Sequence, residues 1–324
     1  MRRLLLAAAA AIGLLLPAAC SGPSNPGDAS DLSSVTLRVG DQAGIQQALL
    51  KASGALDGVP YKVNWAEFPA AAPLLEALRG GAIDVGVAGD APTLNALAAT
   101  EEISIVAANQ QPKRGGLAIL VPKDSPIQTV ADLRGKAVSP TTQGSIGHYL
   151  LLQALTEAGL TAKDVKISFL QPVDAASALQ SGSIDAWSTW DPYTAVAEQE
   201  QGARILRDSG GLASGLGFLD ANNDSLADSS TRAAMADFVR RYNRAMDWAR
   251  ANAAAYTRIY VDLTRRPESV AGVVAERAKR TGTPVTPAVV AELQQVADNY
   301  HRYGVLRKKV VVQERVRDLT NESP

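Results

Sequence analysis

The sequence predicts an α/β protein built as two similar lobes around one cleft, and three observations carry that prediction. A segment occurs twice: Ala77-Leu78, Gly81, Ile83-Asp84 and Asp90 of residues 77–92 fall on Ala178-Leu179, Gly182, Ile184-Asp185 and Asp191 of residues 178–193, without a gap. Short apolar strands alternate with helical patterns through the first two thirds of the chain, the signature of α/β lobes with mainly parallel sheets. Each copy of the repeat ends in an Asp near a Pro that opens a new helix, and helix starts carry unpaired N–H donors suited to anions.

Taken in order, Val35–Val39 alternates and stops at Gly40, as a strand does, and Ile45–Ala52 is a short helix. Tyr61–Trp65 reads as a strand, and Pro73 starts a helix through Leu78. Ile83–Val87 is a strand, Pro92 opens a helix through Ala98, and Ile103–Ala107 and Leu117–Val121 are further strands. The pattern restarts with a turn at 131–136, a strand at Ala137-Val138 and a helix over Ser145–Ala158. Strands at 165–169, 184–188 and 204–206 then alternate with helices at 175–180 and 192–199. Beyond residue 222 the chain is helical: Met235, Phe238, Val239, Tyr242 and Met246 share one face, and Thr286-Pro287 is an N-cap followed by Pro at the first helical position. Residues 302–318 are expected to wrap back onto a lobe. Crossings near Leu120–Lys123 and Gly217–Ala221 place residues 35–120 and 217–324 in lobe 1 and 121–216 in lobe 2, joined by a hinge of two crossover strands.

The amino terminus reads as a targeting segment. Arg2-Arg3 precedes an apolar run from Leu4 to Leu16, too short for a comfortable membrane span. Pro17-Ala18-Ala19-Cys20 resembles a bacterial lipobox, with Pro17 a departure from the usual aliphatic residue. Residues 1–19 are thus expected to be a signal peptide, Cys20 a lipidation site and 20–34 a flexible tether, giving an extracytoplasmic, membrane-anchored monomer. Cys20 is the single Cys, so no internal disulfide can form.

Thirty-two basic and 33 acidic residues give a formal net charge of -1, with no bias toward nucleic acid or an anionic bilayer. Two His and 1 Cys without clustered spacing argue against a metal site, and no phosphate-loop or dinucleotide fingerprint follows any strand. No cofactor and no catalytic residue is expected.

The candidate site is a small-anion pocket. Gly89, Asp90 and Ala91 form one helix start, and Asp191 caps the other. Thr142-Gln143-Gly144-Ser145, between a strand and a long helix, supplies close backbone approach and neutral donors. Gln143 stands where the first Gly of a G-x-S-x-G elbow would be, and His148 beside Ser145 reads as a capping or core residue. Trp187 and Trp190 either fill the core or cover an apolar ligand tail.

Trp65-Ala-Glu67-Phe68-Pro69, Leu74–Leu78, Gly89–Pro92, Ser125–Gly135, Gly144-Ser145 with His148, and Asp185–Trp187 with Trp190–Tyr193 together resemble the aliphatic sulfonate-binding proteins from about residue 35 to 315. The resemblance implies a two-lobed type II periplasmic-binding-protein fold and ligand contacts at Gly89, Asp90, Ala91, Gly144, Ser145, Trp190 and Asp191. It also implies an ABC permease and ATPase as partners. Gln42 in the first loop is a further candidate contact, and three departures from the family pattern lie near the expected ligand: Asp41, where an aromatic is frequent, Ala71-Ala72, where a Gly is usual, and Thr93, where a second Pro is common. Another small anion such as taurine or nitrate is the alternative ligand. An enzyme of this fold resembling the desulfinases would need a cleft Cys, and Cys20 lies in the leader.

Overall fold

Two sheets with one strand order between them organise the chain. The computed structural model describes residues 32–111 and 116–322. The leader, Cys20 and most of the tether lie outside the described residues. Leu32–Ser34 form a 3-10 turn whose Leu32 is buried in the core, so the folded body begins earlier than residue 35.

Lobe 1 opens with β1 (Thr36–Gln42), α1 (Ile45–Ser53), β2 (Lys62–Phe68), α2 (Ala71–Arg79), β3 (Val85–Gly89), α3 (Asp90–Ala99) and β4 (Ile103–Gln110). After the first crossing come β5 (Ala118–Val121), β6 (Ala137–Ser139), α4 (Ile146–Glu157), β7 (Lys166–Ile167), α5 (Pro172–Ser181), β8 (Ala186–Thr189), α6 (Tyr193–Gln201) and β9 (Arg204–Asp208). The chain returns through β10 (Leu216–Asn222), followed by α7 (Asn223–Ala227), α8 (Ser229–Ala251), α9 (Ala253–Thr264), α10 (Glu268–Arg277), β11 (Thr281–Thr283) and α11 (Pro287–Arg302). The sheets run β11-β4-β10-β3-β1-β2 and β9-β5-β8-β6-β7. Set β11 aside, and β4-β10-β3-β1-β2 matches β9-β5-β8-β6-β7 strand for strand, including which neighbours are parallel.

That match explains why Ile-Asp recurs in the two segments. Asp84 donates its N–H to Arg38 O (2.8 Å) and its carboxylate accepts from Arg38 N (2.7 Å). Asp185 donates to Ala137 O (2.7 Å) and accepts from Ala137 N (2.8 Å). Each Asp therefore pins the entry of its strand to the parallel neighbour at both backbone groups.

Two expectations are corrected. The first crossing lies between Gln110 and Ala118, so Ala118–Leu120 belong to lobe 2 and not to a lobe ending at 120. Residues 117–121 are fully apolar, and a strand buried on both faces carries no pattern that says which sheet it joins. The sheets are also mixed: β5 and β10, the strands that follow the two crossings, enter each lobe from the opposite direction and pair antiparallel on both sides, and β11 pairs antiparallel with β4. Helix α9 and strand β11 were not predicted.

Helices cover both faces of each sheet. Leu37, Val39, Val85 and Leu219 meet α1, α8, α9 and α10 on one face of the larger sheet, and Ile103, Ile105 and Phe218 meet α2, α3 and α11 on the other. All five apolar residues predicted for α8 are buried. The C-terminal segment returns as expected, with Arg317 N donating to Ile105 O (2.8 Å) and Leu319 N to Val106 O (2.8 Å).

Candidate functional site

A cavity of about 340 Å³ lies between the lobes. Its walls bring together Gln42, Gly89, Asp90, Thr142, Gln143, Gly144, Ser145, Trp190 and Asp191 of the predicted set. Ala91 and Trp187 are not on the wall. Ala91, in the first turn of α3, is buried in the lobe 1 core, and Trp187 is buried in the lobe 2 core, where its indole donates to Thr141 Oγ1 (2.9 Å). Side chains alternate along a strand, so the position next to one that faces the core and the one after that cannot both be read from spacing alone.

The lobes touch around this cavity. Tyr193 Oη donates to Pro69 O (2.7 Å), Tyr300 Oη to Ser145 O (2.6 Å), and Arg277 of α10 pairs with Asp191 (3.3 Å) and Glu198 (2.7 Å) of lobe 2. Gly144 sits at φ 74 against Asn95 of α3, and a Cβ there would collide with Asn95 Nδ2. A side chain at that position would hold the lobes apart, which is the close-approach role a loop Gly serves.

The two matched helix starts supply fewer donors than their sequences imply. At α3, Ala91 N–H is bound by the carboxylate of Asp90 itself (2.6 Å), and Pro92 has no N–H. Asp90 is the first helical residue, not a cap, and its second oxygen accepts from Ser214 Oγ. At α6, Tyr193 and Thr194 N–H both donate to Trp190 O, Ala195 N–H donates to Asp191 Oδ1 (3.1 Å) and Val196 N–H to Pro192 O. The α6 amides are thus used inside the turn. Helix α4 has donors to spare as well. Ser145 caps it by accepting His148 N–H (3.1 Å), while Ile146 and Gly147 N–H find no partner among the described residues.

Burial raises the carboxyls of Asp90 and Asp191 to about 6 each. Asp191 Oδ2 is buried without a partner among the described residues, pressed against Gly116, where a Cβ would collide with it. Asp41 acts out of sight of the cavity: its oxygens accept from Gln46 N and Gln47 N (3.0 Å each) at the start of α1.

The reading of the sequence missed the cation of the site. Arg280, just past α10, is on the cavity wall, and its recorded partners are the neutral Asn109 (3.4 Å) and, with its amide oxygen turned inward, Gln111 (2.8 Å from Nε). No ion pair among the described residues uses it. A lone Arg at a helix end has no spacing signature, and Arg277 three residues earlier reads the same in sequence yet is neutralised by two carboxylates.

Nothing here is arranged for nucleophilic catalysis. Ser145 Oγ donates to Pro140 O (3.0 Å), and His148 Nδ1 accepts Gly144 N–H (3.1 Å). Burial lowers His148 to about 4, so the ring is neutral and serves as a packing and capping group.

Comparison with known proteins agrees with this geometry. The NMT1/THI5-like family model matches residues 63–255. An aliphatic sulfonates-binding protein of Escherichia coli K12 is 35% identical over 89% of this chain and 90% of its own. The solved alkanesulfonate-binding protein SsuA of Xanthomonas axonopodis pv. citri, bound to MOPS, superimposes with a TM-score of 0.80 at 31% identity, covering 87% of this chain and 98% of that one. The periplasmic aliphatic sulphonate binding protein SsuA of Escherichia coli gives a TM-score of 0.77 at 34% identity over 89% of this chain and 94% of that one. The fold is the two-lobed type II fold of periplasmic binding proteins, and these relatives are binding proteins and not enzymes. The chain belongs to the NMT1/THI5-like family and, within it, to the aliphatic sulfonate-binding proteins.

Proposed function

We propose that the protein captures a small organosulfonate between its lobes, outside the cytoplasmic membrane, and presents it to the permease and ATPase subunits of an ABC importer. The observation that carries this reading is Arg280: a cation with only neutral partners, on the wall of a cavity that also receives the start of α4. A sulfonate is ionised at all physiological pH and offers no proton, so it is matched by a guanidinium and neutral donors, here Gln42, Thr142 and Gln143. Relatives named for sulfonate binding support the same chemistry.

In this reading Cys20 carries the lipid anchor, the chain acts as a monomer, and ligand closes the lobes by contacting both. Calorimetric titration of the purified protein with ethanesulfonate, taurine, nitrate and sulfate tests the assignment. Binding of a sulfonate is expected, weakened by about a hundredfold in Arg280→Gln, the scale of removing one partner of a buried charge-assisted contact. No heat with any sulfonate would overturn it.

A further inference from the structure

A cation serves an anion only if its side chain is held in place, because a free arginine samples many rotamers and loses that freedom on binding. Arg280 is held from behind. Its Nη1 donates to Asn109 Oδ1 (3.4 Å), and its Nε to Gln111 with the amide oxygen turned inward (2.8 Å). Asn109 is near the end of β4, and Gln111 is the first residue past it. This end of β4 is fastened to the returning chain: Gln110 Nε2 donates to Ser214 O (2.9 Å) and Gln111 N to Gly215 O (2.8 Å). The guanidinium thus leans on the junction where the two crossings meet.

Asn109 is the unusual member of this cradle. It is fully buried and does not line the cavity. Its directly opposite neighbours are glycines on both sides, Gly217 of β10 and Gly282 of β11. Opposite residues of an antiparallel pair share a face, so the two glycines leave open the space in which the amide lies. A Cβ on Gly217 would come within 2.7 Å of Asn109 Oδ1, and one on Gly282 would collide with Asn243 Oδ1. Asn109 Nδ2 has no partner among the described residues. A buried amide with an unmet donor adds little to stability. The side-chain contact its oxygen makes is with Arg280.

The neutrality of the acceptors decides what Arg280 can do. Arg277 is met by two carboxylates, which hold it firmly and cancel its charge. Two amide oxygens fix a direction and leave the charge for a ligand, and they cannot use all five N–H donors of a guanidinium.

We propose that Asn109, backed by Gln111, is the positioning residue of the anion site: it aims Arg280 into the cavity without neutralising it, and it acts on the ligand only through that side chain. The proposal rests on the sulfonate reading of the cavity.

Calorimetric titration with ethanesulfonate tests it in four chains: the native protein, Asn109→Leu, Arg280→Gln and the double variant. Asn109→Leu should weaken binding about fivefold, the scale of ordering one freed side chain. Its thermal midpoint should stay near the native value, because the lost amide had an unmet donor. In the Arg280→Gln chain the same substitution should leave affinity within about twofold, as uncoupled sites do. Asn109→Asp puts a carboxylate behind the guanidinium and should weaken binding further, by about twentyfold or more, although the side chain is then held more tightly. Should either Asn109 variant lose its thermal transition, the same cycle with Gln111→Ala decides. Native affinity in both Asn109 variants, or equal losses with and without Arg280, would overturn the positioning role and leave the sulfonate assignment standing. Absence of binding by the native chain would remove the sulfonate assignment itself.

Discussion

The two copies of the repeated segment occupy equivalent places in the two sheets and yet do different work. Both end in an Asp on the cavity wall, and burial raises both to about 6. Asp191 faces Arg277 across the gap between lobes, whereas Asp90 is held by Ser214 and its own neighbour's amide, with no ion pair among the described residues. Upstream, Gly86 on β3 corresponds to Trp187 on β8. A Cβ at Gly86 would reach 2.6 Å from Leu74 Cδ2, so β3 packs tightly on α2, while Trp187 fills the same layer of lobe 2 with an indole. Downstream, Thr93 Oγ1 donates to the buried Asp220 (2.6 Å), but Thr194 Oγ1 has no partner among the described residues. The cause is on the neighbouring strands: β10 places Asp220 opposite Gly86, and β5 places Leu120 opposite Trp187. A shared motif thus sets backbone position, and its neighbours set its electrostatics.

The largest effect expected is at the position where the copies differ most in size. Trp187→Ala should cost about 3–5 kcal/mol in chemical denaturation, as large-to-small changes in a closed core do. A loss under about 1 kcal/mol would mean the indole is not the core element that separates the two copies.

Next is the latch. Arg277→Ala leaves Asp191 and Glu198 in a partly buried site without their cation, and should cost about 2–3 kcal/mol after allowance for partial exposure. Asp191→Asn in the same chain should recover part of the loss. A double-mutant cycle without coupling would show that the pair does not join the lobes.

The two threonines give a matched test. Thr93→Val removes the only donor to Asp220 among the described residues and should destabilise by about 1–3 kcal/mol, whereas Thr194→Val removes a hydroxyl with no partner among them and should be neutral or mildly stabilising. Burial also pushes Asp220 to about 7, above its usual 3.8. The folded protein then binds the extra proton between those values, so native stability falls as pH rises from about 4 to about 7. Asp220→Asn should flatten that part of a stability–pH curve measured by denaturant midpoints.

The smallest effect concerns Asp90. A bound anion in the same cavity favours its protonated form, so sulfonate affinity should rise as pH falls through about 6. Asp90→Asn should bind about three- to tenfold more tightly at pH 7.5, a change of ~1 kcal/mol, and keep only the pH dependence that Asp191 contributes. Equal slopes in the two proteins would place the head group away from Asp90.

Much of this organisation was legible in the chain. Alternation marked the first strand, short apolar runs marked most of the others, helical spacing marked the buried face of α8, and Thr286-Pro287 marked the start of α11. The repeat located four of the wall residues, Gly89, Asp90, Trp190 and Asp191, and the loop before the long helix supplied Thr142, Gln143, Gly144 and Ser145. Strand β11, of three residues, has too little pattern to detect, and α9 follows α8 after only Asn252.

Local pattern depends on covalent neighbours, which is why the sequence by itself determined the α/β character, the duplicated strand entries at Asp84 and Asp185, and the general position of the cleft. Only the tertiary structure decided which amides at the helix starts are used inside the turn, which Trp is core, and which Arg stays without a carboxylate among the described residues. Those properties depend on groups far apart in the chain. Arg277 meets Asp191 and Glu198 from another lobe, while Arg280, three residues on, meets Asn109 and Gln111 and no carboxylate among the described residues.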